Sequence, residues 1–326
     1  MRWLLGSVLA VALVWGGYWF VGARAIETGA EDFFAAQGPR AGRESLVVRG
    51  FPNRFDLTVT QPEFNDPVVG WRWTAPFAQV FAMTWKPWHL IAVVADTQQI
   101  DTSQQRIAVS STDLRASLVL HPGADLALDR LVVEAVALRA MSDLGWDMRV
   151  AKLAFASAED ASRRNTHRIG LQVEALDFGA TVAAALPDLG GVISRLHLDA
   201  HLVLTGPLDR HLGAGAGAVA LAAVEVNDLA LAWGALQISA KGSVARASEG
   251  FAEGVIDLEI HQWRQVPAAL AALGLVEPGV ALTYGKALEL LAESGEDPDV
   301  LKVPLKFKAG RMTLGPLPIG RAPRLN

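Results

Sequence analysis

The sequence predicts a mainly β protein: an N-terminal transmembrane helix, then a large curled antiparallel β-sheet, with a few short helices near the C-terminus. Two observations predict this class. Residues 3–22 form a stretch without any formal charge, and at least a dozen runs between residues 44 and 320 alternate apolar and polar residues. Alternation with period two is typical of strands with one apolar and one polar face. The pattern leaves open whether the sheet forms a groove or a sandwich.

Residues 1–25 are interpreted as the membrane anchor. At about 1.5 Å per residue, twenty helical residues span roughly 30 Å, which is the thickness of a bilayer's hydrocarbon core. Arg2 precedes the apolar stretch, and Trp15, Tyr18 and Trp19 cluster near its other end. Aromatic side chains of this kind concentrate at membrane interfaces. The anchor is therefore expected to cross the membrane once.

A cleaved signal peptide is the alternative for the same segment. Ala23, Arg24 and Ala25 form an A-x-A pattern directly after the apolar stretch. The apolar region of a signal peptide is usually about 7 to 15 residues long, which is shorter than this one. Both interpretations place the remaining chain outside the cytoplasm.

Composition limits the possible functions. The chain of 326 residues has a net charge of −5, is 51% hydrophobic and 19% charged, and contains no cysteine. Soluble domains average about 25% charged residues, and the anchor is too short to explain the difference, so the exported part is unusually apolar. An acidic chain is a poor partner for nucleic acid. The absence of cysteine excludes disulfides, thiol catalysis and cysteine metal sites.

The segment 26–43 is predicted to be a short juxtamembrane helix and connector. Ile26, Phe33 and Phe34 follow helical spacing, and the Gly-Pro pair at 38–39 is a typical helix end.

Residues 44–326 are predicted to form one elongated antiparallel β domain. In the run 55–61, for example, Phe55, Leu57 and Val59 alternate with polar residues. Short turn signals such as the His-Pro-Gly sequence at 121–123 separate the runs, and short turns join antiparallel neighbours.

Two segments depart from this alternation. The segment 266–293 has leucines at helical spacing, interrupted by Gly274 and by a Pro-Gly pair, and is predicted to be an insertion of two short helices. The glycine-alanine run at 213–217 is predicted to be a flexible turn.

The number of strands has a consequence for the whole domain. A sheet of twelve or more strands with one apolar face curls, closes or splits into packed layers. With few helices to cover that face, the sheet either packs on itself or lines a long apolar groove.

Three segments carry a resemblance to a known family. They are VRGFPNRFDLTVTQPEF at 48–64, KGSVARASEGFAEGVIDLEIHQWRQVPAALAALGLV at 241–276 and LKVPLKFKAGRMTLGPLPIGRAPRL at 301–325. They resemble the signature blocks of a bacterial envelope family, domain of unknown function 2125, and the resemblance covers essentially the whole chain.

A second resemblance concerns three glycines between short strands. Gly242, Gly250 and Gly254, followed by an amphipathic helix, resemble the end modules of AsmA-like proteins. This resemblance implies a protein anchored in the bacterial inner membrane, with a curled β-sheet in the periplasm and an apolar groove for phospholipid. Neither family supplies catalytic residues.

His197, Asp199 and His201 are the strongest candidates for metal or acid-base chemistry. On a strand they project from one face, where two imidazoles and a carboxylate could hold zinc. The alternative is a solvated outer face. Leu198 stands where a helical metalloprotease motif needs glutamate.

An aromatic cluster is the candidate lipid or partner site. Its members are Trp71, Trp73, Phe77, Phe81, Trp85 and Trp88. Indole combines a large apolar ring with one N–H donor, so the cluster suits a lipid site or the membrane surface. Such clusters are more often core residues near the end of a sheet, which is the alternative.

A basic strand face is the last candidate. Lys302, Lys306, Lys308 and Arg311 either face solvent or contact anionic headgroups.

These observations favour a membrane-anchored periplasmic protein without enzymatic activity that binds lipid acyl chains or assists lipid handling. No catalytic residue, cofactor or metal is expected. The expected partners are the inner membrane, phospholipid or another envelope protein, and not nucleic acid. A scaffold that binds another envelope protein is the alternative, and a periplasmic hydrolase or metalloenzyme is the third class.

Overall fold

One long helix opens the chain. The computed structural model describes residues 2–211, 219–293, 295 and 297–325, so the run predicted as a flexible turn at 213–217 lies outside the described residues. Helix α1 (Arg2–Gln37) covers the predicted anchor and continues through most of the segment predicted as a separate juxtamembrane helix. No proline interrupts it before Pro39, in the 3-10 turn Gly38–Arg40 that follows.

The first part of the sheet consists of strands that kink in the middle. Their bounds are β1 (Ala41–Gly42), β2 (Ser45–Arg49), β3 (Arg54–Thr60), β4 (Glu63–Asp66), β5 (Trp71–Thr74), β6 (Phe77–Met83), β7 (Lys86–Val94), β8 (Thr97–Thr102), β9 (Arg106–Ser110) and β10 (Asp113–Leu120). β3 pairs with β2 and β6, whereas β4, directly after it, pairs with β1 and β5. β3 and β4 are therefore two halves of one long strand, bent at Gln61, whose φ is 46°.

The second part of the sheet contains longer strands. Their bounds are β11 (Leu128–Ser142), β12 (Asp147–Glu159), β13 (Thr166–Asp177), β14 (Val192–Leu204), β15 (Leu221–Trp233), β16 (Leu236–Arg246), β17 (Ala252–His261), β18 (Val300–Lys308), β19 (Arg311–Leu314) and β20 (Leu317–Arg321). β11 pairs with both β10 and β9, and from β11 onward each strand pairs antiparallel with the next. The described strands form one antiparallel sheet, which confirms the predicted fold class.

Backbone kinks also occur in the longer strands. Ala137 in β11 and Ala175 in β13 both have a φ of 50°, while the pairing register is the same on either side of each residue. The bend therefore continues from the kinked strands into the longer ones.

Three short helices cover the apolar face near the C-terminus. They are α2 (Gly179–Ala185), α3 (Val266–Ala272) and α4 (Pro278–Ala292). α3 and α4 lie in the segment predicted to be helical. Trp233, Trp263, Leu288 and Leu301 belong to one buried cluster formed by these helices and β14–β18. The indole N–H of Trp263 donates to the Pro298 carbonyl at 3.0 Å, which satisfies its buried polar group.

Helix α1 covers the opposite end of the same face. Trp19 and Ala23 bury against Phe55 of β3, and the rings of Trp19 and Phe55 stack with centroids 6.2 Å apart. A Cβ at Gly22 would lie 2.6 Å from the Phe55 ring, so glycine permits this close approach. Further along α1, Phe34 stacks on Phe64 of β4 at 6.0 Å.

Candidate functional site

A row of apolar side chains crosses the sheet on the face that α1 touches. Consecutive members are direct cross-strand partners in nine neighbouring strands, from β3 to β15. We name as the central row Leu57, Val80, Ala92, Ala116, Val133, Phe155, Leu171, Leu198 and Leu229. Neighbouring strands lie about 4.8 Å apart, so nine strands span about 38 Å.

The rows on either side of the central row are apolar as well. One passes through Leu90, Leu118 and Leu131, and the other through Leu153, Val173 and Leu196. The row through Leu90 runs from Ala82 to Val226, and Ser157 is its one polar member. No member of the three rows is charged. The three rows together form what we call the open apolar face.

The open apolar face differs from an ordinary core in how little of it is covered by other parts of the protein. All nine members of the central row are only partly buried. None of them belongs to the buried clusters that the sheet forms with α1 or with α2, α3 and α4. The middle of the apolar face thus presents hydrocarbon to its surroundings between two helix-covered ends.

A polar pair lies at one margin of the open apolar face, beside the β12–β13 hairpin. The Ser157 hydroxyl lies 3.3 Å from Nδ1 of His167, and His167 is 4% exposed. Burial lowers the pKa of His167, while the carboxylates of Glu159 and Asp129 act in the opposite direction. Since the pKa falls below its ordinary value, His167 is neutral at pH 7 and adds no charge to this face.

The opposite face of the sheet is polar and contains ion pairs. Arg168 holds Asp199 through two hydrogen bonds of 2.9 and 2.6 Å, and Arg115 lies 3.0 Å from Glu134 on neighbouring strands. The guanidinium of Arg168 lowers the pKa of Asp199. Ion pairs exposed to this degree are typical of a solvated surface.

The metal site considered for His197, Asp199 and His201 does not form. Asp199 is bound by Arg168, and Nδ1 of His201 lies 3.0 Å from the amide nitrogen of Asn227. Among the described residues, no group of three His, Cys, Asp or Glu side chains is arranged to hold a metal ion. These three residues lie on the polar face, as the alternative interpretation predicted.

Comparison with known proteins identifies the family. The model of DUF2125, described as an uncharacterized protein conserved in bacteria, matches residues 19–323. The chain belongs to this family. No curated protein and no solved structure matched the chain. The DUF2125 match begins at Trp19, so it includes the contacts of Trp19 and Ala23 with Phe55.

One helix of this DUF2125 protein has the properties of a membrane span. Among the described residues, the helical segment Trp3–Arg40 is the one that is long and apolar enough to cross a bilayer. Its N-terminal side chains are exposed, including Leu4, Leu9 and Leu13. This agrees with the predicted anchor.

The structure distributes the six predicted aromatic residues over separate surfaces. Trp73 packs against Phe64 at 5.8 Å, on the side of the sheet where α1 lies, and donates to the side-chain oxygen of Gln98 at 2.9 Å. Trp71 is two residues before it on β5, so both project from one side. This part of the cluster lies beside the open apolar face.

The other four residues lie elsewhere. Phe77 and Phe81 pair with Thr60 and Asp56 and therefore occupy the polar face of β6. Trp88 lies in β7. Trp85 lies in the β6–β7 turn, where it is 58% exposed. The structure therefore brings Trp71 and Trp73 together. It also places Trp85 at the end of the sheet that meets α1, where Trp85 and Phe81 line one pocket.

The basic strand face lies at the far edge of the sheet. Lys302, Lys306 and Lys308 project from the polar side of β18, and Lys302 lies 3.7 Å from Glu259. Arg311 pairs with Lys308 across the β18–β19 turn.

The central row itself was not selected as a site from the sequence. Phe155 and Val133 belong to runs of ordinary strand alternation, and neither has a chemically distinctive side chain. The alternation predicts which face of the sheet each residue occupies. Only the cross-strand register shows that the apolar residues align across nine strands.

Proposed function

We propose that this DUF2125 protein is a single-pass protein of the bacterial inner membrane, with its sheet in the periplasm, and that the open apolar face binds lipid acyl chains. The central row is the observation that carries the proposal. Large contiguous apolar patches on proteins are typical of interaction sites. A membrane anchor at one end of the sheet supplies a nearby source of acyl chains.

The dimensions and chemistry of the face suit this ligand. One leaflet contributes about half of a hydrocarbon core of roughly 30 Å, so the central row, at about 38 Å, is longer than an acyl chain that fills one leaflet. Each methylene removed from water contributes about 0.8 kcal/mol. The rows contain no charge that would oppose a hydrocarbon ligand, and the AsmA-like resemblance of the glycine segment is consistent with this function.

The experiment uses the full chain, because Trp19 and Ala23 of α1 bury against Phe55 and a truncated sheet would lose that cover. The chain is reconstituted into vesicles that contain a phospholipid with a diazirine in its acyl chain, irradiated, and digested for mass spectrometry. We expect adducts on peptides of β6–β14 as well as on α1, which is the internal positive control.

Matched variants assign the adducts to the face. Leu171→Arg places a charge in the central row, whereas Gln172→Arg places the same charge on the other side of β13. We expect Leu171→Arg to reduce the sheet adducts severalfold without changing those on α1, and Gln172→Arg to leave both unchanged. Adducts confined to α1 in the unmodified protein would contradict acyl binding by the sheet.

A further inference from the structure

The first hairpins of the sheet lie against α1 at a position inside its apolar stretch. The indole N–H of Trp15 donates to the Pro52 carbonyl at 3.0 Å, and that of Trp19 donates to the Arg54 carbonyl at 2.7 Å. Both carbonyls belong to the β2–β3 hairpin. The hydroxyl of Tyr18 donates to the Thr84 carbonyl in the β6–β7 turn at 2.7 Å.

The position of these contacts along α1 determines their depth in a bilayer. At about 1.5 Å per residue, Trp15 lies about 18 Å and Trp19 about 24 Å from Trp3 along the helix. The hydrocarbon core is roughly 30 Å thick, so both contacts fall within it when the uncharged stretch begins at one interface. Tilting the helix shortens its vertical rise and moves the contacts deeper.

The side chains at this end of the sheet suit that depth. Phe51 at the β2–β3 turn is 57% exposed and Trp85 at the β6–β7 turn is 58% exposed, while Phe20 of α1, which contacts Phe51 at 5.8 Å, is 65% exposed. Arg49 and Lys86 flank the two turns in sequence and are also exposed. Exposed aromatic residues with adjacent cations are typical of the interface between acyl chains and headgroups.

The hydrogen bonds between α1 and the two turns satisfy backbone groups that would otherwise lack partners inside the membrane. Backbone carbonyls inside hydrocarbon need partners within the protein, because water is absent there. The turn carbonyls of Pro52, Arg54 and Thr84 are bonded by α1, and the Thr84 N–H and hydroxyl both donate to the Asn53 carbonyl. The two turns and α1 thus form one connected unit.

We infer that the β2–β3 and β6–β7 turns insert into the outer leaflet of the membrane crossed by α1, with Phe51 and Trp85 among the acyl chains. The inference rests on the proposed membrane anchoring by α1. It does not depend on acyl binding by the open apolar face. Its partner is the bilayer itself, and it places the beginning of the sheet in direct contact with lipid.

The chain has no cysteine, so single cysteines can carry a nitroxide label without background. The test positions are Phe51→Cys and Trp85→Cys in the full chain, with Asn53→Cys as a turn variant that retains both aromatic residues. Val68→Cys is the control, because Val68 is an exposed residue in the β4–β5 turn at the other end of the strands. The labelled proteins are reconstituted into vesicles of phosphatidylethanolamine and phosphatidylglycerol.

Flotation of the vesicles is measured first, and then collision of the label with oxygen, which concentrates in lipid, and with a water-soluble nickel chelate. We expect the protein to float, with an oxygen-to-nickel ratio severalfold higher at 51, 53 and 85 than at 68. A floating protein whose ratios at these positions match Val68→Cys would overturn the insertion alone. A protein that does not float would overturn both the anchoring and the insertion.

Discussion

The apolar face of the sheet meets two different environments along its length. In β14–β18 the short helices cover it, and Trp233 and Trp263 are almost completely buried. From β3 to β15 the same alternation produces the central row, whose members lie outside the two helix-covered clusters and stay partly exposed. An identical strand pattern therefore yields a core in one region and a partly exposed apolar surface in the other, depending on which helices pack on it.

The largest expected effect comes from the covered region. Trp263→Ala should lower the free energy of unfolding by about 3 to 5 kcal/mol, because it removes a buried indole and leaves a cavity. Phe155→Ala in the central row should cost only about 1 kcal/mol, since the ring is not enclosed. Urea unfolding of the full chain in detergent, followed by circular dichroism, measures both. Equal losses would show that the central row is a packed core.

The next effect concerns the close approach of β16 and β17 at Gly254, beside a buried cluster that includes Ala252 and Phe307. Gly254 has a φ of 149°, and a Cβ there would collide with the carbonyl oxygen of Ser243. Gly254→Ala should therefore lower the free energy of unfolding by about 1 to 3 kcal/mol through backbone strain.

Gly170 provides the matched control in the uncovered region. It lies in β13, and a Cβ there would meet nothing within 4 Å. Gly170→Ala should change stability by about 0.5 kcal/mol or less. If both variants unfold at the same urea concentration, the close approach of β16 and β17 does not depend on glycine at position 254.

These differences show what the sequence could and could not predict. Period-two alternation predicted the antiparallel sheet, and the leucine spacing after Val266 predicted the helices α3 and α4. Helix α2 was not predicted, because its seven residues are mostly alanine and give no apolar periodicity. Helical packing on β14–β18 involves residues far apart in sequence, so the covered part of the face was not predictable from strand patterns.

The candidate site shows the same limitation. The aromatic residues between 71 and 88 are close in sequence, but the kink before Phe77 places Trp73 and Phe81 on opposite faces of the sheet. Sequence proximity therefore did not translate into one cluster. The contact of Tyr18 with the Thr84 carbonyl was also missed, because a hydrogen bond across 66 residues leaves no local pattern.

The smallest expected effect is a pH dependence at the margin of the open apolar face. Burial lowers the pKa of His167 in the folded state, so below about pH 6.5 the unfolded chain binds a proton that the folded chain does not. The stability associated with neutral His167 is complete above that pH and declines as the pH falls further.

Urea unfolding at about pH 7 and about pH 5.5 tests this effect, because the histidine charge changes in this range. We expect His167→Gln to lose less stability than the unmodified protein on acidification. An equal loss in the two proteins would assign the acid sensitivity to other groups.

Site-specific photo-crosslinking in living cells tests the central claim most directly. Benzoylphenylalanine is introduced at Leu171, in the central row, or at Gln172, on the polar face of the same strand, and intact protein is analysed by mass spectrometry after irradiation. Binding of acyl chains predicts a phospholipid mass added at 171 and not at 172. A protein adduct at 171 without lipid would instead indicate a scaffold, and the absence of any lipid adduct at 171 would contradict the proposed function.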